Sequence, residues 1–255
     1  MTSSVDRFSQ RVENYIRYRP GYPEAVVDLL WREAGLAKGS VVADLGSGTG
    51  ILSAMLLQRG LVVRAVEPNA EMREAAERLL GAEPAFVSSG GTAELTGLAG
   101  HSVDLITAAQ AFHWFDRAEA KKEFARILKP GGVAALIWNE RRVTSTPFLR
   151  EYEAFLETHG TDYTEINHAD ITDADIEAFF APLEVNKAAF PNEQVFDYPG
   201  LEGRLMSCSY APARGHPGHE PMIEALHALF SKHATQGKVV FEYDSRVWWA
   251  RYPAP

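Results

Sequence analysis

A doubly wound α/β fold built on a mostly parallel sheet is the class this sequence predicts, and three observations predict it. Short apolar runs of strand length alternate with amphipathic stretches up to about residue 140. That alternation makes successive strands parallel and covers both sheet faces with helices. The run "VVADL" leads straight into glycines at 46, 48 and 50, a turn whose backbone a ligand can approach closely. The closing segment "KVVFEYDSRVWWARY" reads as an antiparallel strand.

The elements follow in order. "RVENYIRYRPGYP" is amphipathic and stopped by Pro20 and Gly21. "PEAVVDLLWREAG" starts a helix at Pro23, since proline suits a first helical position. "SVVADLG" is the first strand, and "GILSAMLLQRG" keeps helical spacing to Gly60. "LVVRAVEP" is a strand ended by Pro68; "NAEMREAAERLLG" is a helix capped by Asn69 and stopped at Gly81. "PAFVSSG" and "SVDLITAAQ" are strands, "DRAEAKKEFARILKPGG" a helix, and "VAALIWNE" the fifth strand. Beyond residue 140 the pattern changes: "PFLREYEAFLETHG", "DADIEAFF" and "PMIEALHALFSKHA" are helical, and "LEVNKAAFPNEQVFD" is a strand.

Composition narrows the function. With 46% hydrophobic residues the chain has an ordinary globular make-up, and no apolar run reaches the length of a membrane span. The start, "MTSSVDRFSQ", lacks an apolar signal core, so a cytoplasmic protein without membrane contact is expected. A formal charge of −9 argues against phosphate-backbone binding, so a small-molecule substrate is expected and nucleic acid is not. The single cysteine, Cys208, excludes a disulfide framework and reads as a small core residue. "HPGH" at 216–219 reads as a loop, and no metal is expected, because partner carboxylates and cysteines are missing nearby.

A strand, a glycine turn and a helix suit either a dinucleotide or a nucleoside cofactor. Glu67, ending the second strand, would accept hydrogen bonds from ribose hydroxyls in both cases. The spacing here is G-x-G-x-G after Asp44, whereas a dinucleotide turn usually reads G-x-G-x-x-G. Taken together, "VADLGSGTG", "AVEPNAEM", "GTAELTGL", "VDLITAAQAFHWFD" and "ILKPGGVAALIWN" closely resemble a class I S-adenosylmethionine-dependent methyltransferase of the small-molecule, type 11-like group. The match covers about residues 40–140, and "YIRYRPGYP" extends it towards the N-terminus.

The resemblance implies a seven-stranded Rossmann-like fold with an antiparallel closing strand and a helical lid. It implies S-adenosylmethionine as cofactor and methyl transfer to a small acceptor, acidic or hydroxylated. Gly46, Ser47, Gly48, Thr49 and Gly50 would pass close to its methionyl part and ribose. Asp44 would orient that turn, and Glu67 would take both ribose hydroxyls. Pro68 and Met72 would wall the adenine, and Thr92 and Ala93 would meet its edge; Thr92 stands where many relatives carry an aspartate. Gln110 and Ala111 would lie near the sulfonium, and Arg19 would pair with the methionyl carboxylate.

For the acceptor, His113 is the candidate general base, because an imidazole titrates near neutrality. Tyr15, Tyr18, Phe112, Trp114, Trp138, Asn139, Arg142 and Tyr210 are candidate pocket residues, with Arg142 suited to an acidic substrate. The whole of 1–255 reads as one methyltransferase domain: a cofactor-binding core at 40–140, an N-terminal lid segment at 1–22, and a substrate-covering insertion at about 145–237. Tyr15, Tyr18, Arg19, Tyr152 and Tyr210, left without a core assignment, would roof the pocket, with residues 8–22 ordering as cofactor binds. A monomer or weak homodimer is expected. The alternatives are a catalytically inactive cofactor-binding regulator and, from another class, a nicotinamide-dependent oxidoreductase.

Overall fold

Strand β1 (Val41–Leu45) lies between β2 (Val62–Val66) and β4 (Val103–Ala109), parallel to both. β3 (Phe86–Ser89) pairs in parallel outside β2, and β5 (Leu128–Arg141) outside β4. With β7 (Val239–Arg251) and β6 (Asn186–Phe196) the sheet reads β3-β2-β1-β4-β5-β7-β6, and the expected antiparallel closing strand is present. This computed structural model describes residues 13–161, 163 and 171–254. The first twelve residues of the N-terminal segment, and His168, lie outside the described residues.

The chain separates into two compact units. The sheet unit comprises the described residues of Gly21–Asn139, Ile171–Phe190 and Ser245–Pro255; those of Met1–Pro20, Glu140–Asp170 and Pro191–Asp244 form the second unit. In the sheet unit, residues alternate between two cores, as the period of a strand requires. Val42, Leu105 and Val133 join one core with helices α1 (Glu24–Glu33) and α2 (Ile51–Gln58). Ala43, Ile106 and Ala134 join the other with α4 (Arg117–Ile127) and α6 (Asp173–Phe180). Both faces are therefore covered, as the apolar runs predict.

Caps fix several boundaries. The Asn69 side chain accepts from Met72 N–H at 3.1 Å and starts α3 (Ala70–Leu80). Asp116 accepts from Ala118 N–H and Glu119 N–H to start α4. Each such cap contributes about 1 kcal/mol. The fourth helix stops earlier than "DRAEAKKEFARILKPGG" predicts. Leu128 already pairs with Val103, and Lys129–Gly132 are accommodated by a register shift before Leu105 meets Val133. Lys129 Nζ closes that irregularity on Asp104, at 2.8 and 2.9 Å.

The stretch from 145 to 237 is not one insertion. Ile171–Phe190 belong to the sheet unit, and Ile176, Phe179 and Phe180 pack in its core. In the second unit, α5 (Pro147–His159), α7 (Tyr198–Met206) and α8 (His219–His233) share a core with Phe241 and Tyr243 of β7. Helix α7, over "YPGLEGRLM", is not among the helices expected from the sequence. It forms because Pro199 falls in the first turn and Asp197 accepts from Gly200 N–H at 2.9 Å.

Candidate active site

The sheet order reverses at β1, whose neighbours are β2 on one side and β4 on the other. In an open α/β sheet the ligand crevice lies outside the carboxyl ends of the strands at such a point. The glycine turn occupies that position. Gly46 donates its N–H to Val66 O at 2.8 Å, binding the turn to the end of β2. Its φ is +66°, and a Cβ there would overlap the Ala111 methyl. Gly50, at φ +85°, is the N-cap of α2, and a Cβ would meet Leu80 Cδ1 at 2.7 Å. Around Gly48 nothing lies within 4 Å of a Cβ, so this residue faces open space.

Two carboxylates sit behind and beside the turn. Asp44 is buried; it accepts from Ser53 Oγ at 2.6 Å and from Thr107 Oγ1 at 2.9 Å. Burial pushes its carboxyl up to about 6, against the pull of those two hydroxyls, and the charge of Glu67 adds to the rise. Asp44 thus ties β1 to α2 and β4 through these two hydroxyls. Glu67 holds the loop: its Oε2 accepts from Gly48 N–H and its Oε1 from Asn69 N–H, both at 2.8 Å.

Other expected residues are arranged around the strand ends in varied roles. Pro68 is exposed and Met72 half-buried. The Thr92 hydroxyl accepts from Leu95 N–H at 3.2 Å and shapes its own turn, while Ala93 is buried beneath it. Gln110 adopts φ 57°, a left-handed conformation uncommon for a residue with a side chain. Its backbone N–H is held by Ile137 O at 2.9 Å and its side-chain amide by Asn139 O at 3.2 Å. Three buried atoms here have no hydrogen-bond partner: Thr49 Oγ1 on the glycine turn, Ser89 Oγ at the end of β3, and His113 Nδ1 after β4. Buried polar atoms are nearly always paired, so three orphans in segments that follow β1, β3 and β4 mark a place for a polar ligand.

Comparison with known proteins agrees with this geometry. Residues 43–136 match the family model for a methyltransferase domain. An uncharacterized methyltransferase of Mycobacterium tuberculosis is 45% identical over 134 residues, which is 52% of this chain and 52% of that one. An uncharacterized methyltransferase-like protein of Schizosaccharomyces pombe is 32% identical over 165 residues, 64% of this chain and 63% of its own. The chain thus spans about half the length of the mycobacterial relatives it matches. A provisionally assigned type II methyltransferase from Anaeromyxobacter dehalogenans, known from its solved structure, aligns with a TM-score of 0.67 and 25% identity, over 92% of this chain and 99% of that one. Residues 43–136 carry a methyltransferase domain, on the class I fold.

Within the sheet unit some expected pocket residues are structural. Phe112 is 1% exposed and packs against Phe179, centroids 4.8 Å apart, so it is a core residue and not a pocket wall. Asn139 is buried and binds Gly21 O through Nδ2 at 3.0 Å while accepting from Ser245 Oγ at 2.5 Å, which makes it a junction. The His113 ring lies between Trp114 and Trp138, centroids 4.7 and 5.2 Å away, and burial lowers its pKa. Trp114 is 80% exposed, an unusual position for so large an apolar ring.

The remaining candidates belong to the second unit. Arg19 stacks on Tyr15 with its guanidinium 4.8 Å from the ring centre, and donates to Ser207 O at 3.1 Å. Tyr18 and Tyr152 are not left over from a core; both pack in the second unit's own core, with Tyr210 beside Tyr163. Arg142 forms a two-point ion pair with Asp244, at 3.0 and 2.6 Å, so its guanidinium is already engaged at the surface. Cys208 is buried, as expected of a core residue.

Sequence reasoning missed Ser53, Thr107 and Ser89 as site groups, Arg204 as a buried cation and Arg141 as a partly buried one. Serine and threonine inside apolar runs such as "GILSAMLL" and "VDLITAA" were the available sign, since a hydroxyl in a core requires a partner. Among the described residues, no helix is long and apolar enough to cross a membrane.

Proposed function

We propose that the sheet unit binds S-adenosylmethionine and that the protein transfers its methyl group to a small acidic or hydroxylated molecule. The observation that carries this reading is the constellation at the strand ends. Glu67 braces the open Gly48, and Thr49, Ser89 and His113 each offer a buried polar atom without a partner. Those groups fit a polar nucleoside ligand: hydroxyls and amides at the turn, a carboxylate at the end of β2 for ribose, and half-buried Met72 beside it for an apolar ring. The family resemblance and the solved structure of Haemonchus contortus phosphoethanolamine N-methyltransferase 2 with S-adenosylhomocysteine, which shares the fold at a TM-score of 0.52, support the same cofactor.

When bound, the cofactor supplies a methyl group already activated on a sulfonium, so the protein's task is positioning more than activation. Gln110, fixed in its left-handed conformation, and Ala111 present backbone at the end of β4. His113, kept neutral by burial, is suited to accept a proton from an acceptor that must lose one; a carboxylate acceptor has none to lose.

S-adenosylhomocysteine is expected to raise the melting temperature, because a ligand that binds only the native state stabilises it by about 2.7 kcal/mol at a hundredfold excess over Kd. NAD should give no shift, and a shift with NAD alone would replace this reading with the oxidoreductase one. A methyl-transfer screen over carboxylic and hydroxylated metabolites then separates an enzyme from a protein that only binds the cofactor.

Glu67→Gln should weaken S-adenosylhomocysteine at least roughly tenfold, since hydrogen bonds to a charged group contribute about 1.5–3 kcal/mol each. Gln carries one acceptor oxygen where the carboxylate has two, so Gly48 N–H or Asn69 N–H also loses its partner. Calorimetry showing unchanged affinity would remove Glu67 from the site.

A further inference from the structure

The second unit has a chemistry of its own that its core does not require. Three arginines there each carry one buried nitrogen atom without a hydrogen-bond partner: Arg19 Nε, Arg141 Nη1 and Arg204 Nε. Arg204 is 8% exposed, and among the described residues no carboxylate is paired with it; its Nη1 donates to Cys208 Sγ at 2.9 Å. Arg141 meets Glu153 and Tyr163 Oη through Nη2, and its guanidinium stands 5.2 Å from the Tyr152 ring centre. Among the described residues, the Arg19 guanidinium meets Ser207 O and the face of Tyr15.

These groups form one electrostatic neighbourhood. Tyr152 interacts with Arg141, Arg204 and Cys208, and Cys208 with both Arg19 and Arg204. Burial works against the Cys208 thiolate, yet the two guanidiniums and a hydrogen bond with Tyr210 bring its pKa down to about 7. Each guanidinium has five N–H donors and no acceptor. The acceptors around the three are two backbone or thiol groups, one phenol and the Glu153 carboxylate. A buried cation without a counter-charge is costly, and guanidinium donors match a planar or tetrahedral oxyanion.

We propose that the second unit holds an oxyanion site in which Arg19, Arg141 and Arg204 receive the carboxylate or phosphate of a small acidic molecule. Tyr152 and Tyr210 supply the aromatic walls and hydroxyls of that site, and Arg142, the arginine that sequence alone favoured, is replaced by its neighbour Arg141.

Cys208 is the single cysteine of the chain, so its thiol titration reports on this site alone. The full-length protein is titrated by thiolate absorbance in separate arms with succinate, inorganic phosphate and S-adenosylhomocysteine, with calorimetry alongside. Succinate or phosphate is expected to bind saturably and to raise the thiol midpoint, because added negative charge beside the guanidiniums disfavours the thiolate; which of the two binds tighter identifies the anion. Arg204→Lys and the less buried Arg141→Lys should each weaken that anion roughly tenfold or more while S-adenosylhomocysteine affinity is retained. No midpoint shift with either anion overturns the proposal. So does a shift produced by S-adenosylhomocysteine with which succinate and phosphate compete, since the arginines would then serve the cofactor's own carboxylate. Absence of S-adenosylhomocysteine binding defeats the methyl-transfer reading, while an anion-induced thiol shift still supports the oxyanion site.

Discussion

Gly46→Ala is expected to destabilise the fold by about 2–5 kcal/mol, much of the 5–15 kcal/mol that holds a typical domain together. Two costs add. A side chain at φ +66° costs about 1–2 kcal/mol in the left-handed region. The new methyl would also overlap Ala111 Cβ; Gly46 N–H is bonded to Val66 O at the end of β2 and Ala111 O accepts from Trp114 N–H, so neither can move away cheaply. Overpacking of that kind costs about 1–3 kcal/mol. Gly48→Ala provides the internal control. Its φ is +56° but its Cβ would meet nothing, so only the backbone cost of about 1–2 kcal/mol applies. Denaturant unfolding of the two variants should therefore separate them clearly. Equal losses would mean that the Gly46–Ala111 approach is not a constraint. S-adenosylhomocysteine affinity should fall in both, because Gly48 lines the open side of the turn.

Asp44→Asn should do the reverse and stabilise the protein at neutral pH. The folded-state carboxyl titrates at about 6, against an ordinary value of 3.8. Between those values the native state keeps a proton that the unfolded chain has already released, so stability falls as pH rises from about 4 to 6. Above pH 6 the penalty is complete, on the order of 3 kcal/mol for a shift of about two units. Asparagine carries no charge at any pH. It can still accept from one of the hydroxyls of Ser53 and Thr107 and donate to the other. The variant should thus gain most at pH 7, little at pH 4, and show a flatter melting curve against pH across that window. A loss of stability at pH 7 would show that the charged hydrogen bonds outweigh burial. The cost of keeping a buried carboxylate one strand from Glu67 is understandable if its charge serves the ligand, so the stabilised variant should bind S-adenosylhomocysteine more weakly. Functional groups held at the expense of stability are a common pattern.

Several features were decided within the sequence. The alternation of strands and helices, the Asn69 and Asp116 caps and the positive-φ glycines after β1 all express short-range chemistry: propensity, capping geometry and backbone freedom act within a few residues. The seven-stranded class and the methyltransferase motifs of 43–136 follow from that order. What only the tertiary structure decided depends on residues far apart in the chain. Asp44 finds Thr107 sixty-three positions away; Phe112 turns inward because Phe179 of α6 is there to meet it; and Ile171–Phe190 join the sheet unit although they are surrounded in sequence by the second. The grouping of Arg19, Arg141 and Arg204 in the second unit has the same origin. No local pattern distinguishes Arg141 from Arg142, because successive residues of a strand point to opposite faces. Which of the two meets Asp244 at the surface, and which lies beside Tyr152, is fixed only by the chain that packs around them.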